Sequence, residues 1–193
     1  GFAHKNWKRF QESVPQRGER LIEEGEMGEV IVALPDCFTS LGGNQYINSR
    51  AVGNWADFLI EEMIPEIELL FPVKKGGENR GVFGKSSGGY GALVRGMLDD
   101  CWDAVACHSG DCGFELLFGI EMGSTLTQIG PHGGIDGFLS YVKNTQSLKG
   151  DDFHTLMVLA MAATYSDGTL PVDENCIFDD KKWANWKSWD PLN

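Results

Sequence analysis

Basic residues are in short supply in this chain. Sixteen lysines and arginines stand against 28 aspartates and glutamates, giving a formal net charge of −12 and a pI near 4.7. Nucleic acid and anionic membrane both bind through a basic face, so neither is expected as a partner. Hydrophobic residues make up 42% of the sequence, yet no apolar run approaches the roughly 20 residues of a membrane span. No signal peptide is visible, and the chain starts Gly1-Phe2 rather than with methionine. Cysteine is sparse and odd in number, at five: Cys37, Cys101, Cys107, Cys112 and Cys176. None shows paired metal spacing. Cys107 and Cys112 flank His108 and Asp111 and could be drawn as a zinc cluster, but buried free thiols are the plainer reading. The expectation is therefore no metal, no cofactor and a reducing, cytoplasmic compartment.

What is present fits one domain, since 193 residues suffice for a substantial core but not for two. The informative stretch is Gly81-Val82-Phe83-Gly84-Lys85-Ser86-Ser87-Gly88-Gly89-Tyr90-Gly91-Ala92-Leu93. A short apolar strand runs into a serine held between glycines and then into a potential helix, the pattern of a nucleophile elbow. Only Ser86 satisfies Gly-x-Ser-x-Gly. The turn needs small neighbours, and the following helix aims N–H groups and its positive end at the same point, which suits acyl transfer. Gly84-Lys85-Ser86 also ends like a phosphate-binding loop, but Asn79 occupies the place of that loop's first glycine. Nucleotide binding is the weaker reading.

Around the elbow the sequence predicts a doubly wound, mainly parallel α/β sheet. A polar start holds one helix, Gln16 to Glu24. Val30-Ile31-Val32-Ala33-Leu34, closed by Pro35-Asp36, reads as a strand buried on both faces. Phe38 to Gly53 is a loop long enough to be functional. Asn54 then caps a helix whose apolar face is Trp55, Leu59, Met63, Ile67, Leu70 and Phe71, with Pro65 as a kink. After the elbow helix, Ala104 to Cys107 is the next parallel strand, and it delivers His108-Ser109-Gly110-Asp111 to the end where open α/β sheets bind ligands. From Phe114 onward strand signals stop. Ile135 to Lys149 and Asp151 to Thr164 read as helices, with His154 a structural histidine among apolar neighbours. Trp183, Trp186 and Trp189 share one side of a helix, as an aromatic core stripe or a pocket wall. Residues 1–113 are thus expected to form the core and 114–193 a helical, cap-like insertion of the same domain.

Four stretches in order, Val32 to Asp36, Leu41 to Ser49, Asp57 to Pro65 and Gly84 to Leu93, resemble landmarks of the putative esterase family. That family groups S-formylglutathione hydrolase, feruloyl and acetyl esterases and mycolyltransferases, and the resemblance covers roughly residues 1–110. It implies an α/β-hydrolase fold with Ser86 as nucleophile and the Ser87 N–H as one oxyanion donor. Gly1-Phe2 looks like the tail of the loop that carries the second donor, which places Phe2 there. Tyr46, Asn48, His108 and Trp186 are the candidate pocket residues for a small ester substrate. Lys85 departs from the residue more usual before the serine. The resemblance also implies a triad Asp and His beyond a Trp-x-x-Trp-Asp-Pro-like stretch, and Trp186 to Pro191 supplies that stretch with neither residue after it. The expectation is a fragment incomplete at both ends, with a homodimer formed through exposed sheet edges. A hydrolase-like binding or assembly module without catalysis is the alternative.

Overall fold

In the computed structural model the chain divides into two units, Gly1–Phe38 and Thr39–Asn193, of which residues 12–165 are described. The first unit holds one helix, α1 (Val14–Glu23). It starts where the sequence offers a reciprocal cap: Ser13 accepts from the Gln16 N–H, and the Gln16 side chain accepts from the Ser13 N–H. Pro15 fits in its first turn because that turn lacks N–H partners. Residues 30–34 depart from expectation. They form no strand, and Val30, Ile31, Val32 and Leu34 are 40–54% exposed. An apolar β-branched run becomes a strand only when a neighbour takes up its backbone hydrogen bonds, and among the described residues none does.

The second unit begins with the segment expected to be a loop. It contains a small antiparallel hairpin, β1 (Asn48–Ser49) with β2 (Gly53–Asn54), and it buries Leu41, Gln45, Ile47 and Ser49. The following helix runs from α2 (Trp55–Asp57) through a π-helical stretch, Phe58–Met63, into α3 (Ile64–Leu70). Pro65 explains the π turn. Its ring displaces the ordinary i−4 acceptor, and the helix accommodates this by widening, so that the Ile64 N–H reaches back to the Leu59 carbonyl. A π turn holds one extra residue, worth about 100° of rotation. The apolar face therefore does not continue as predicted: Leu59 is buried, whereas Leu70 and Phe71 are exposed.

Strands β3 (Gly81–Lys85) and β4 (Ala104–His108) pair in parallel, Gly81 opposite Ala104 and Lys85 opposite His108, and α4 (Ser87–Leu98) crosses between them. The elbow unit, strand–helix–strand, is thus as expected. A multi-stranded doubly wound sheet is not seen among the described residues, where the parallel sheet has two strands. Phe83 and Val105 are consequently exposed. Helices α5 (Phe114–Ile129), α6 (Ile135–Asn144) and α7 (Gly150–Tyr165) follow. The core lies between α4, α5 and α7, where Tyr90, Phe114, Phe118 and Tyr165 pack with ring centroids 4.9–6.2 Å apart. His154 is not buried as expected. Its imidazole faces outward, with Nδ1 3.6 Å from Glu121 on α5. No helix among the described residues is long and apolar enough to cross a membrane.

Candidate active site

The turn from β3 into α4 places Ser86 at φ 58°, ψ −125°, a conformation that costs a non-glycine residue of order 1–3 kcal/mol and persists only where its surroundings impose it. Those surroundings are visible. The Ser86 N–H donates to the His108 carbonyl at 3.0 Å, and the Ser86 carbonyl accepts from Tyr90 N–H at 2.9 Å, starting α4. A Cβ on Gly84 would collide with the Gly88 carbonyl, while one on Gly88 would meet nothing. The elbow motif's two glycines therefore serve unequally: Gly84 must be small so that Gly88's backbone can pass.

A second tight turn faces the first. Ser109 has φ 49°, and a Cβ on Gly110 would lie 2.7 Å from Cys107 Sγ and 2.9 Å from the Gly89 carbonyl carbon. The backbone after β4 is thus pressed flush against the start of α4, and the next side chain, Asp111, turns over the elbow. Its carboxylate accepts from both serines, Ser86 Oγ to Oδ1 at 3.4 Å and Ser87 Oγ to Oδ2 at 3.2 Å. Behind it, Gln45 is 1% exposed and donates through Nε2 to Ser87 Oγ at 3.4 Å and to Met161 Sδ of α7. Burial pushes the Asp111 carboxyl above its ordinary range, and the hydrogen bonds from Ser87 and Ser86, then the Lys85 charge, hold it back in part.

The expected site residues are only partly brought together. Ser86 is exposed and Ser87 half-buried beside it. The Ser87 N–H lies in the first turn of α4, where no intrahelical acceptor exists. His108 contributes its backbone carbonyl to Ser86, and its exposed side chain makes no hydrogen bond to the serine. Tyr46, at φ 60°, lays its ring on Gly91 of α4, where a Cβ would come within 2.5 Å of it. Asn48 is a helix cap: its Oδ1 accepts from the Ala56 and Asp57 N–H groups at 3.1 and 3.2 Å, and its Nδ2 donates to Asp57 at 2.7 Å. It does for α2 what Asn54 was expected to do, since Asn54 makes no side-chain cap. Phe2 and Trp186 lie outside the described residues.

Asn48 also lines a cleft of about 340 Å³ with Asp57, Glu61, Arg95 and Asp99. Arg95 follows Ser86 by nine residues, about 13 Å along a helix, so this cleft belongs to the far end of α4. Among the described residues no three His, Cys, Asp or Glu side chains are grouped as a metal ion would need. Val82 and Phe83 sit in β3, which runs straight into the elbow, so the open glycine loop of a phosphate cradle is not formed there. Sequence reasoning missed Asp111 as a neighbour of the serines. The available signal was its position three residues past the end of β4, at the ligand-binding end of a parallel strand.

A family model described as Esterase, putative esterase, matches residues 16–192. No curated protein matches the chain.

Proposed function

The chain belongs to the putative esterase family, matched over residues 16–192, and on that premise we propose that it is a serine carboxylic-ester hydrolase working through a Ser86 acyl-enzyme. The observation that carries the reading is the strained Ser86 backbone, φ 58° and ψ −125°, on a strand-to-helix turn that projects an exposed hydroxyl. In this reading Ser86 Oγ attacks the ester carbonyl. The Ser87 N–H at the positive end of α4 receives the developing oxyanion. The parallel pair β3–β4 is the centre of a doubly wound α/β-hydrolase sheet, and residues 114–193 act as a helical cap over a small-molecule ester. Free thiols at Cys101, Cys107 and Cys112 suit a reducing, cytoplasmic compartment.

One observation favours a second reading, a hydrolase-like binding or assembly module: among the described residues no imidazole hydrogen-bonds to Ser86. Among the described residues β3 and β4 are both edge strands of a two-stranded sheet, and these edges would then serve pairing with a second copy. Intact-mass analysis after fluorophosphonate treatment separates the two. The esterase reading expects one equivalent on the native chain and none on Ser86→Ala, with ester hydrolysis falling by about 10⁴-fold or more. An unlabelled native chain leaves the binding module.

A further inference from the structure

We propose that Asp111 selects the acyl group at Ser86. Its carboxylate receives a hydroxyl or an ammonium borne by the carbon next to the ester carbonyl, which makes 2-hydroxyacyl and 2-aminoacyl esters the substrate class. The inference rests on the esterase reading above and deepens it.

Position carries it. Asp111 Oδ1 accepts from the Ser86 hydroxyl at 3.4 Å, and Oδ2 accepts from the Ser87 hydroxyl at 3.2 Å. The backbone on both sides of Asp111 is held. Gly110 is pressed so closely on α4 that an added Cβ would lie 2.9 Å from the Tyr90 nitrogen, and the Cys112 N–H donates to the Gly110 carbonyl at 2.8 Å. The carboxylate is therefore presented to the nucleophile from a fixed turn. At attack the ester carbon lies about 3 Å from Oγ. A polar atom on the next carbon of the acyl group, turned to this side, then comes within about 3 Å of Oδ1, the length of a hydrogen bond.

Reaction creates the need for such a donor. Ser86 Oγ exchanges its proton for the acyl group, the proton leaving with the alcohol, and Oδ1 loses the hydrogen bond that it accepted from Ser86. Ser87 stays on Oδ2. Among the described residues no guanidinium or ammonium hydrogen-bonds to Asp111, and Lys85, exposed at the end of β3, acts on it more weakly than burial or either hydroxyl. A half-buried carboxylate oxygen stripped of its partner is costly. A hydroxyl or ammonium on the substrate takes the vacated place from the transition state onward, so the gain appears in kcat/KM. A plain alkanoyl group offers Oδ1 nothing, and an acyl group with a carboxylate at that carbon meets like charge.

The test compares kcat/KM for the methyl esters of lactate, alanine and propionate, each divided by that ester's rate with hydroxide to remove the substituent's own activating effect. In the native chain lactate, alanine or both are expected to exceed propionate by about tenfold or more. The ester that does so identifies the donor as hydroxyl or ammonium. In Asp111→Ala any loss of packing lowers all three rates together, whereas the ratio to propionate is expected to fall to about 1, which a merely structural role would not produce. Should Asp111→Ala not fold, Asp111→Asn serves, where loss of the charge is expected to cut the preferred ratio several-fold. Equal native rates, a ratio that survives substitution, or fluorophosphonate labelling without hydrolysis of the lactate or alanine ester would overturn the assignment and leave Ser86 as nucleophile. A native chain that neither labels nor hydrolyses any of the three would remove the esterase reading and this one together.

Discussion

The two ends of α4 each hold a carboxylate that burial pushes above its ordinary range, and they treat it differently. At the far end Asp99 meets Arg95, itself 7% exposed, with Nη1 3.3 Å from Oδ1, and the guanidinium charge offsets part of the burial. At the elbow Asp111 meets two neutral hydroxyls, with burial dominant and the Lys85 charge the smallest contribution. A carboxylate beside a guanidinium is stabilised as an anion and is a poor base. One held by hydroxyls keeps its basicity and its freedom to change charge. The same helix thus has one end where a guanidinium meets the carboxylate and one where two hydroxyls hold it.

Breaking the neutralised end should cost the most stability. Arg95→Met leaves Asp99 without its cation, and removal of one member of a buried pair typically costs about 3 kcal/mol or more, roughly 9 °C in Tm for a chain of this size. Thermal unfolding at pH 7 and pH 4 checks this. The loss should be smaller at pH 4, where Asp99 takes up a proton, and Arg95→Met/Asp99→Asn should recover part of it. An equal loss at both pH values would mean that Arg95 acts by packing and not by charge. A smaller effect is expected next to it. Asn48→Ala removes the acceptor for the Ala56 and Asp57 N–H groups and should cost about 1 kcal/mol in chemical denaturation. Ester hydrolysis should keep its KM, because the Asn48 amide is spent on the helix. A raised KM would return Asn48 to the substrate side and blur the division between the two ends.

The elbow was legible because its constraints are local. Val82 to Ser86 are five consecutive residues that can form only a few turns, and β3, Ser86 and α4 follow in that order. The helices over residues 135–144 and 150–165 were legible from their apolar content. By contrast α5 gave no period, since Leu116 and Ile120 are exposed while Phe118 and Met122 are buried, so apolar residues lie on every side. Val30 to Leu34 misled for a different reason: β-branched composition states what a strand would be made of and not whether a neighbour is there to pair with it. Asp111 and Gln45 were invisible as partners because they meet Ser87 from 24 and 42 residues away in sequence. Asn48 misled similarly, capping a helix whose own flanking residue, Asn54, looked sufficient.

The smallest effect is the most pointed test of the comparison, because its sign opposes the one expected for Arg95. Burial raises the Asp111 carboxyl in the folded chain above its unfolded value, so between those two values the folded state binds more protons than the unfolded state. Stability from this group is then present at low pH and is lost as pH rises from about 4 through the raised folded value. Asp111→Asn carries no charge to desolvate and escapes that loss. The variant should melt at or slightly below the native chain at pH 3 and above it at pH 7, by on the order of 2 °C, because half-burial leaves solvent to screen much of the penalty. Scanning calorimetry at the two pH values reads the crossing directly. A variant less stable than the native chain at pH 7 would mean that the two serine hydrogen bonds outweigh burial, making Asp111 a structural anchor like Asp99. A variant more stable at pH 7 would show the elbow end of α4 giving up stability to keep a half-buried carboxylate beside the serines.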